Sequence, residues 1–174
     1  MAKQLDFDRL TATINNIKLP DGPRLDRFSI VSGAAMLITK PFQIDLASKA
    51  TIEAEVSAQS LVDFLEELSP GGLKNFQIEL IDGQIFMSAK AKVMVDIPVK
   101  AICTLRIHEE RQLHVELKTM DVMGGPAKKL VEGQFDKVNP IFDVADMPLN
   151  MKLKSVEIEN GVVLVKGEAH PSED

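Results

Sequence analysis

Few groups in this 174-residue chain could do covalent chemistry, and their spacing limits what they could do. His108-Glu109-Glu110 with His114 comes nearest to a metal signature. A zinc-protease helix needs His-Glu-x-x-His, which sets both histidines on one face with the glutamate as base. Here the residues flank Glu109-Glu110-Arg111-Gln112, which reads as a polar hairpin turn, so no metal is expected. Cys103 is the only cysteine and falls on an apolar position of an alternating run, with no charge partner close in sequence. A buried, inert thiol is expected there, and a single cysteine excludes an internal disulfide. Gly-x-Ser-x-Gly, a Walker loop and a dinucleotide fingerprint are all absent. The chain therefore reads as a non-enzyme with no cofactor.

Non-covalent chemistry has better candidates. Gly124-Gly125-Pro126-Ala127-Lys128-Lys129 reads as a helix start. Such a start offers free N–H groups and a positive dipole end, and Lys128 and Lys129 could add charge for a phosphate. The plainer reading is a capped helix with solvated lysines. Lys90, Lys92, Lys100, Arg106 and Lys118 fall on one face of a predicted sheet, either simply solvated or touching anionic headgroups. The net charge of −6 disfavours indiscriminate binding to nucleic acid. The aromatics are eight Phe with no Trp or Tyr, which removes the usual base-stacking platforms. No apolar run reaches membrane-spanning length. The first residues, Met-Ala-Lys-Gln-Leu-Asp-Phe-Asp, form no hydrophobic signal region. The expectation is cytoplasmic, or the envelope or periplasmic face if a leader has been trimmed.

The elements that would position these groups are legible in the hydrophobic pattern. Ala58, Leu61, Val62, Leu65 and Leu68 recur at helical spacing, with Ser57 able to cap and Pro70-Gly71-Gly72 to stop the helix. A second helix over 126–138 carries Ala127, Leu130, Val131, Phe135 and Val138 as its stripe. Alternation marks strands on both sides of these helices. Ile85, Met87, Ala89, Ala91, Val93, Val95 and Ile97 read as one inward face, and Val99, Ala101, Cys103, Leu105 and Ile107 continue it past Pro98. Asp82-Gly83 and Asn160-Gly161 are hairpin turns between matching runs, Ile78–Ala91 and Val156–Ala169. Each hairpin follows a helix, so a helix-then-hairpin unit is expected twice. The last five residues, His170–Asp174, are expected to fray. Roughly nine one-sided strands with two helices must curl, pair face to face or surround something. The fold class is thus α+β, a single domain over 1–174. A curved, mostly antiparallel sheet wraps two helices and leaves an apolar groove.

The order of these phrases, from Ala50-Thr-Ile-Glu-Ala-Glu-Val-Ser-Ala-Gln-Ser-Leu-Val-Asp-Phe-Leu65 through Asn139-Pro-Ile-Phe142 to Val156-Glu-Ile-Glu-Asn-Gly-Val-Val-Leu-Val-Lys-Gly167, resembles the LmeA-like phospholipid-binding family over about residues 46–169. The resemblance implies a fold akin to tubular lipid-binding modules and phospholipid binding at a bacterial envelope membrane. It carries no catalytic motif and no ligand residue that transfers one by one. From face and period, an acyl chain would lie among Leu61, Leu65, Leu130 and Phe135 of the helices and Val93, Val95 and Leu105 of the meander, with Lys128 or Lys129 at the phosphate. The expected partners are a phospholipid or fatty acid and, peripherally, a membrane. The other reading is a solidly packed interaction protein whose sheet recruits a partner protein.

Overall fold

The computed structural model describes residues 3–69, 72–147 and 149–172. Pro70, Gly71 and Glu173-Asp174, which carry part of the helix stop and of the frayed end expected above, lie outside the described residues. Strands β1 (Gln4–Phe7), β2 (Leu10–Lys18), β3 (Arg24–Ser32), β4 (Ala35–Thr39), β5 (Phe42–Leu46) and β6 (Ala50–Ser57) lead into helix α1 (Ala58–Leu68). Strands β7 (Leu73–Ile81), β8 (Gln84–Lys92), β9 (Asp96–His108) and β10 (Gln112–Val122) form a meander that ends at helix α2 (Gly125–Val138). Short β11 (Phe142–Asp143), a 3-10 turn at Val144–Asp146, then β12 (Asn150–Glu159) and β13 (Val162–His170) complete the chain.

Every pairing is antiparallel. One five-stranded sheet runs β11-β10-β9-β8-β7, the other β12-β13-β6-β3-β2, and β1-β4-β5 make a small third sheet. The strands outnumber the nine expected in part because Lys40-Pro41 turns β4 back into β5, and β1 joins the other edge of β4. His170 is not frayed, since it closes β13 opposite Asn150. The two large sheets and both helices share one core, with Leu73, Val99, Val131, Leu153 and Val163 almost wholly buried. The result is the α+β architecture read from the sequence, a curled antiparallel sheet around two helices.

Turn chemistry fixes the two matching hairpins. Asp82 and Gly83 have φ of 50° and 75°, and Asn160 and Gly161 have 48° and 82°. Positive φ at both central residues defines the turn that suits the twist of paired strands, and Asx-Gly tolerates it best. Equivalent residues then pair alike: Leu80 faces Ile85, and Ile158 faces Val163. The turns also meet. The Gly83 N–H donates to the Ile158 carbonyl at 3.1 Å, and the Gly161 N–H donates to the Leu80 carbonyl at 3.2 Å. This reciprocal pair is a local two-fold relation between the hairpins. The helices do not follow it. Helix α1 packs against β7 of its own hairpin and against β3 and β6, whereas α2 packs against β10 and β8. The helix-then-hairpin order therefore occurs twice, but each helix finds its own seat.

Side-chain hydrogen bonds anchor one end of each helix. The Ser57 hydroxyl accepts from the Ser60 N–H and caps α1. Asp26 accepts from the Ser57 N–H at 2.6 Å and from the Ser60 hydroxyl at 3.0 Å. Burial alone would raise the Asp26 pKa, but these bonds and Arg24 hold it below its ordinary value. At the far end of α2, Asn139 imitates a strand. Its side chain accepts from the Val115 N–H at 2.8 Å and donates to the Val115 carbonyl at 2.9 Å.

Candidate functional site

Helix α1 turns Leu61, Phe64 and Leu65 toward α2, which presents Gln134, Phe135 and Val138. Leu73, Phe76, Ile78, Ile85, Met87, Cys103 and Val115 supply the sheet wall, and Ile141 closes one end. Together they line an apolar cavity of about 50 Å³. That is room for one or two water-sized groups. Pockets that hold a small-molecule ligand run to roughly 300–1,000 Å³, so this cavity as it stands is too small for an acyl chain. A second apolar void of about 30 Å³ shares Leu61 and Ile141 with it and is lined also by Leu105, Leu113, Val163 and Val165.

One polar residue borders the larger cavity, although none of its polar atoms is exposed into the space. Gln134 is 9% exposed, and its Nε2 has no hydrogen-bond partner among the described residues. A buried amide without a partner costs roughly 1–3 kcal/mol. The Cys103 thiol lies on the same lining, and burial pushes its pKa up to about 12.

One end of this slot adjoins charged groups. Beyond Phe64, Val138 and Ile141 lies an open cleft of about 650 Å³, whose charged lining is Asp21, Glu67, Lys137, Asp143 and Asp146. Arg111 binds Asp143 through both carboxylate oxygens, at 2.8 and 2.9 Å, and holds it well below the usual carboxylate range. Lys18 pairs with Glu67 at 3.2 Å. Carboxylates still predominate at this end. Nearer the start of α2, Leu130 covers Gly72, where an added Cβ would sit 3.4 Å from the leucine Cδ2.

The residues singled out from sequence separate into three groups. Leu61, Leu65 and Phe135 line the larger cavity, and Leu61 and Leu105 the smaller. Leu130 sits half-buried over Gly72. Val93 and Val95 do not reach the groove. The inward run breaks after Lys92, and residues 93–95 form the tight turn into β9, with Val95 70% exposed. Lys128 and Lys129 are exposed on the first turn of α2, and Lys128 approaches Glu132 at 3.9 Å. They stand beside the slot rather than in it. Only Leu61, Leu65 and Phe135 of the fourteen residues that line the larger cavity were chosen from sequence, and two of those missed are instructive. Phe64 is as buried as Leu61 and belongs to the same stripe, three positions on; Gln134 gave no signal, because its polarity hides an inward position.

The other candidates are surface features. His108 and His114 meet across the β9–β10 hairpin with ring centroids 4.4 Å apart and planes tilted by 50°. Burial and the neighbouring His108 lower the His114 pKa. No group of three metal-ligating side chains occurs among the described residues. Arg106 and Lys118 both bind Glu116, at 3.4 and 3.2 Å, and Lys100 lies opposite Asp121, so much of the basic sheet face is neutralised. No described helix is long and apolar enough to cross a membrane. No protein-family model matches the chain, and neither does any curated protein or solved structure.

Proposed function

We propose that this protein is a non-enzymatic binder of phospholipid or fatty acyl chains, which it holds between α1, α2 and the inner sheet face. The observation that carries the reading is the cavity itself, enclosed by α1, α2 and the sheet with no polar surface facing into it. Gln134 borders it with a buried Nε2 that has no partner among the described residues, and on opening this group would donate to an acyl ester or carboxylate oxygen while the methylenes cover Leu61, Phe64, Leu65 and Phe135. Each methylene buried there is worth about 0.8 kcal/mol. The closed cavity requires α1 and α2 to part. Their separate seats, on β7 and on β10 with β8, allow this without unpairing a sheet. The acidic cleft disfavours an anionic headgroup at its end of the slot, which leaves the Lys128–Lys129 end for a phosphate. The resemblance to the LmeA-like family points the same way.

The small free volume is the observation that favours the second reading, a solid-cored interaction protein. Leu65→Glu and Leu130→Glu separate the two. Both leucines are half-buried, so in a groove that opens the new carboxylate reaches water and the fold survives. In a sealed core an unpaired charge costs several kcal/mol. Thermal unfolding is measured beside displacement of a fluorescent fatty acid. Folded variants that no longer bind are the expected result. Unfolding of both, or full binding by both, would overturn the groove.

A further inference from the structure

Four of the twelve exposed large apolar residues gather at one end of the meander, while the other eight, Phe42 among them, are spread over other strands. Met94 is 96% exposed and Val95 70%, and they form the β8–β9 turn with Val93. Val122 of β10 pairs with Val99 of β9, so Met123, 77% exposed, follows at the same end of the sheet. Helix α2 starts from there at Gly125. A turn built from Val-Met-Val has no need of apolar residues for its own geometry, since turns favour Gly, Asn and Asp. Four exposed large apolar side chains at one end of a sheet mark a contact surface.

The charges around this tip have one sign in excess. Lys92 pairs in register with Asp96 across the turn, Lys74 with Lys90 one step below, and Lys74 also bridges Asp96 at 3.0 Å. Lys100 lies opposite Asp121 on the next pair of strands. Lys128 and Lys129 lie on the first turn of α2, where Glu132 answers only Lys128. Lysines therefore outnumber carboxylates here, in a chain whose net charge is −6. A ring of lysines about an exposed apolar tip complements the surface of an anionic bilayer. Its headgroups attract the lysines, and its acyl boundary accepts the valines and methionines.

We propose that the Val93-Met94-Val95 turn and Met123 form a tip that inserts into anionic membrane surfaces. This inference does not need the cavity to hold lipid. It is tested by flotation of the purified protein with vesicles of phosphatidylcholine alone and of phosphatidylcholine mixed with phosphatidylglycerol. The wild type is expected to float with the mixed vesicles and to detach as salt is raised. Met94→Asp, at a side chain that packs on nothing, is expected to keep its unfolding temperature and lose at least about tenfold in vesicle affinity. Lys92→Glu is expected to weaken binding to the mixed vesicles. No flotation of the wild type, or equal flotation of wild type and Met94→Asp, overturns the proposal. Fatty-acid displacement on Met94→Asp reports the groove separately. Loss of flotation with displacement intact separates the tip from the cavity, and tip-dependent flotation without any displacement leaves the tip standing while the groove reading falls.

Discussion

Cys103 reports on the cavity from inside it. Its thiol is buried among the lining residues, and burial pushes its pKa up to about 12 from the ordinary 9.0. In the folded protein almost no thiolate exists at neutral pH, and thiolate is the form that reacts. A thiol-specific dye should leave the native protein unlabelled at neutral pH and label it fully in guanidinium. The sign of the linkage follows. A folded-state pKa above the unfolded value gives stability that is complete below about pH 9.0 and is lost as pH rises toward about 12. Denaturant midpoints that stay level up to pH 9.0 and fall above it are expected. Rapid labelling of the native thiol at neutral pH would show that the lining is open to water. Cys103 was readable as inert from sequence because both its alternation parity and its lack of charged neighbours agree with burial. Gln134 was not readable, since a glutamine between Gly133 and Phe135 looks like any solvated helical residue.

At the scale of elements, the β12–β13 hairpin depends on one glycine. A Cβ on Gly167 would strike the Lys152 carbonyl and also come within 3.2 Å of the Ile52 side chain. The pairing shifts register beside it, between Leu153 and Ser155. Gly167→Ala should therefore destabilise the protein, by about 1–3 kcal/mol as overpacking does, read as a lower denaturant midpoint with unchanged slope. An alanine variant as stable as wild type would mean that β12 gives way freely. The matching hairpin has Ala89 at this position, also buried, so the crowding belongs to the β12–β6 side rather than to the shared turn. Turns announced by Asp82-Gly83 and Asn160-Gly161 were legible because positive φ demands those residues. The Val93–Val95 turn was not, for a reason of parity. Ala91 lies opposite Ile97, and opposed residues share a face, so odd positions stay inward on both strands. Alternation runs through the turn unbroken, and no Gly, Asn or Pro marks it. Two valines placed in the groove by period alone thus came out at the tip.

At the scale of the whole molecule, the two proposals rest on separate features. A closed apolar slot lies between two helices with independent seats, and a lysine-ringed apolar tip lies at the end where α2 begins. The fold follows from patterning because strands with one apolar face and two striped helices have few ways to bury it. Function is less legible, because a lipid groove and an ordinary core draw on the same residues, Leu, Ile, Val, Phe and Met. What separates them is free volume and an unpaired amide, both properties of packing rather than of composition. Native mass spectrometry of the purified protein tests the central claim most directly. A mass excess matching a phospholipid or fatty acid should persist under gentle desolvation and disappear on acid denaturation. A bare protein mass at every gentle setting, from preparations that never met detergent, would contradict it.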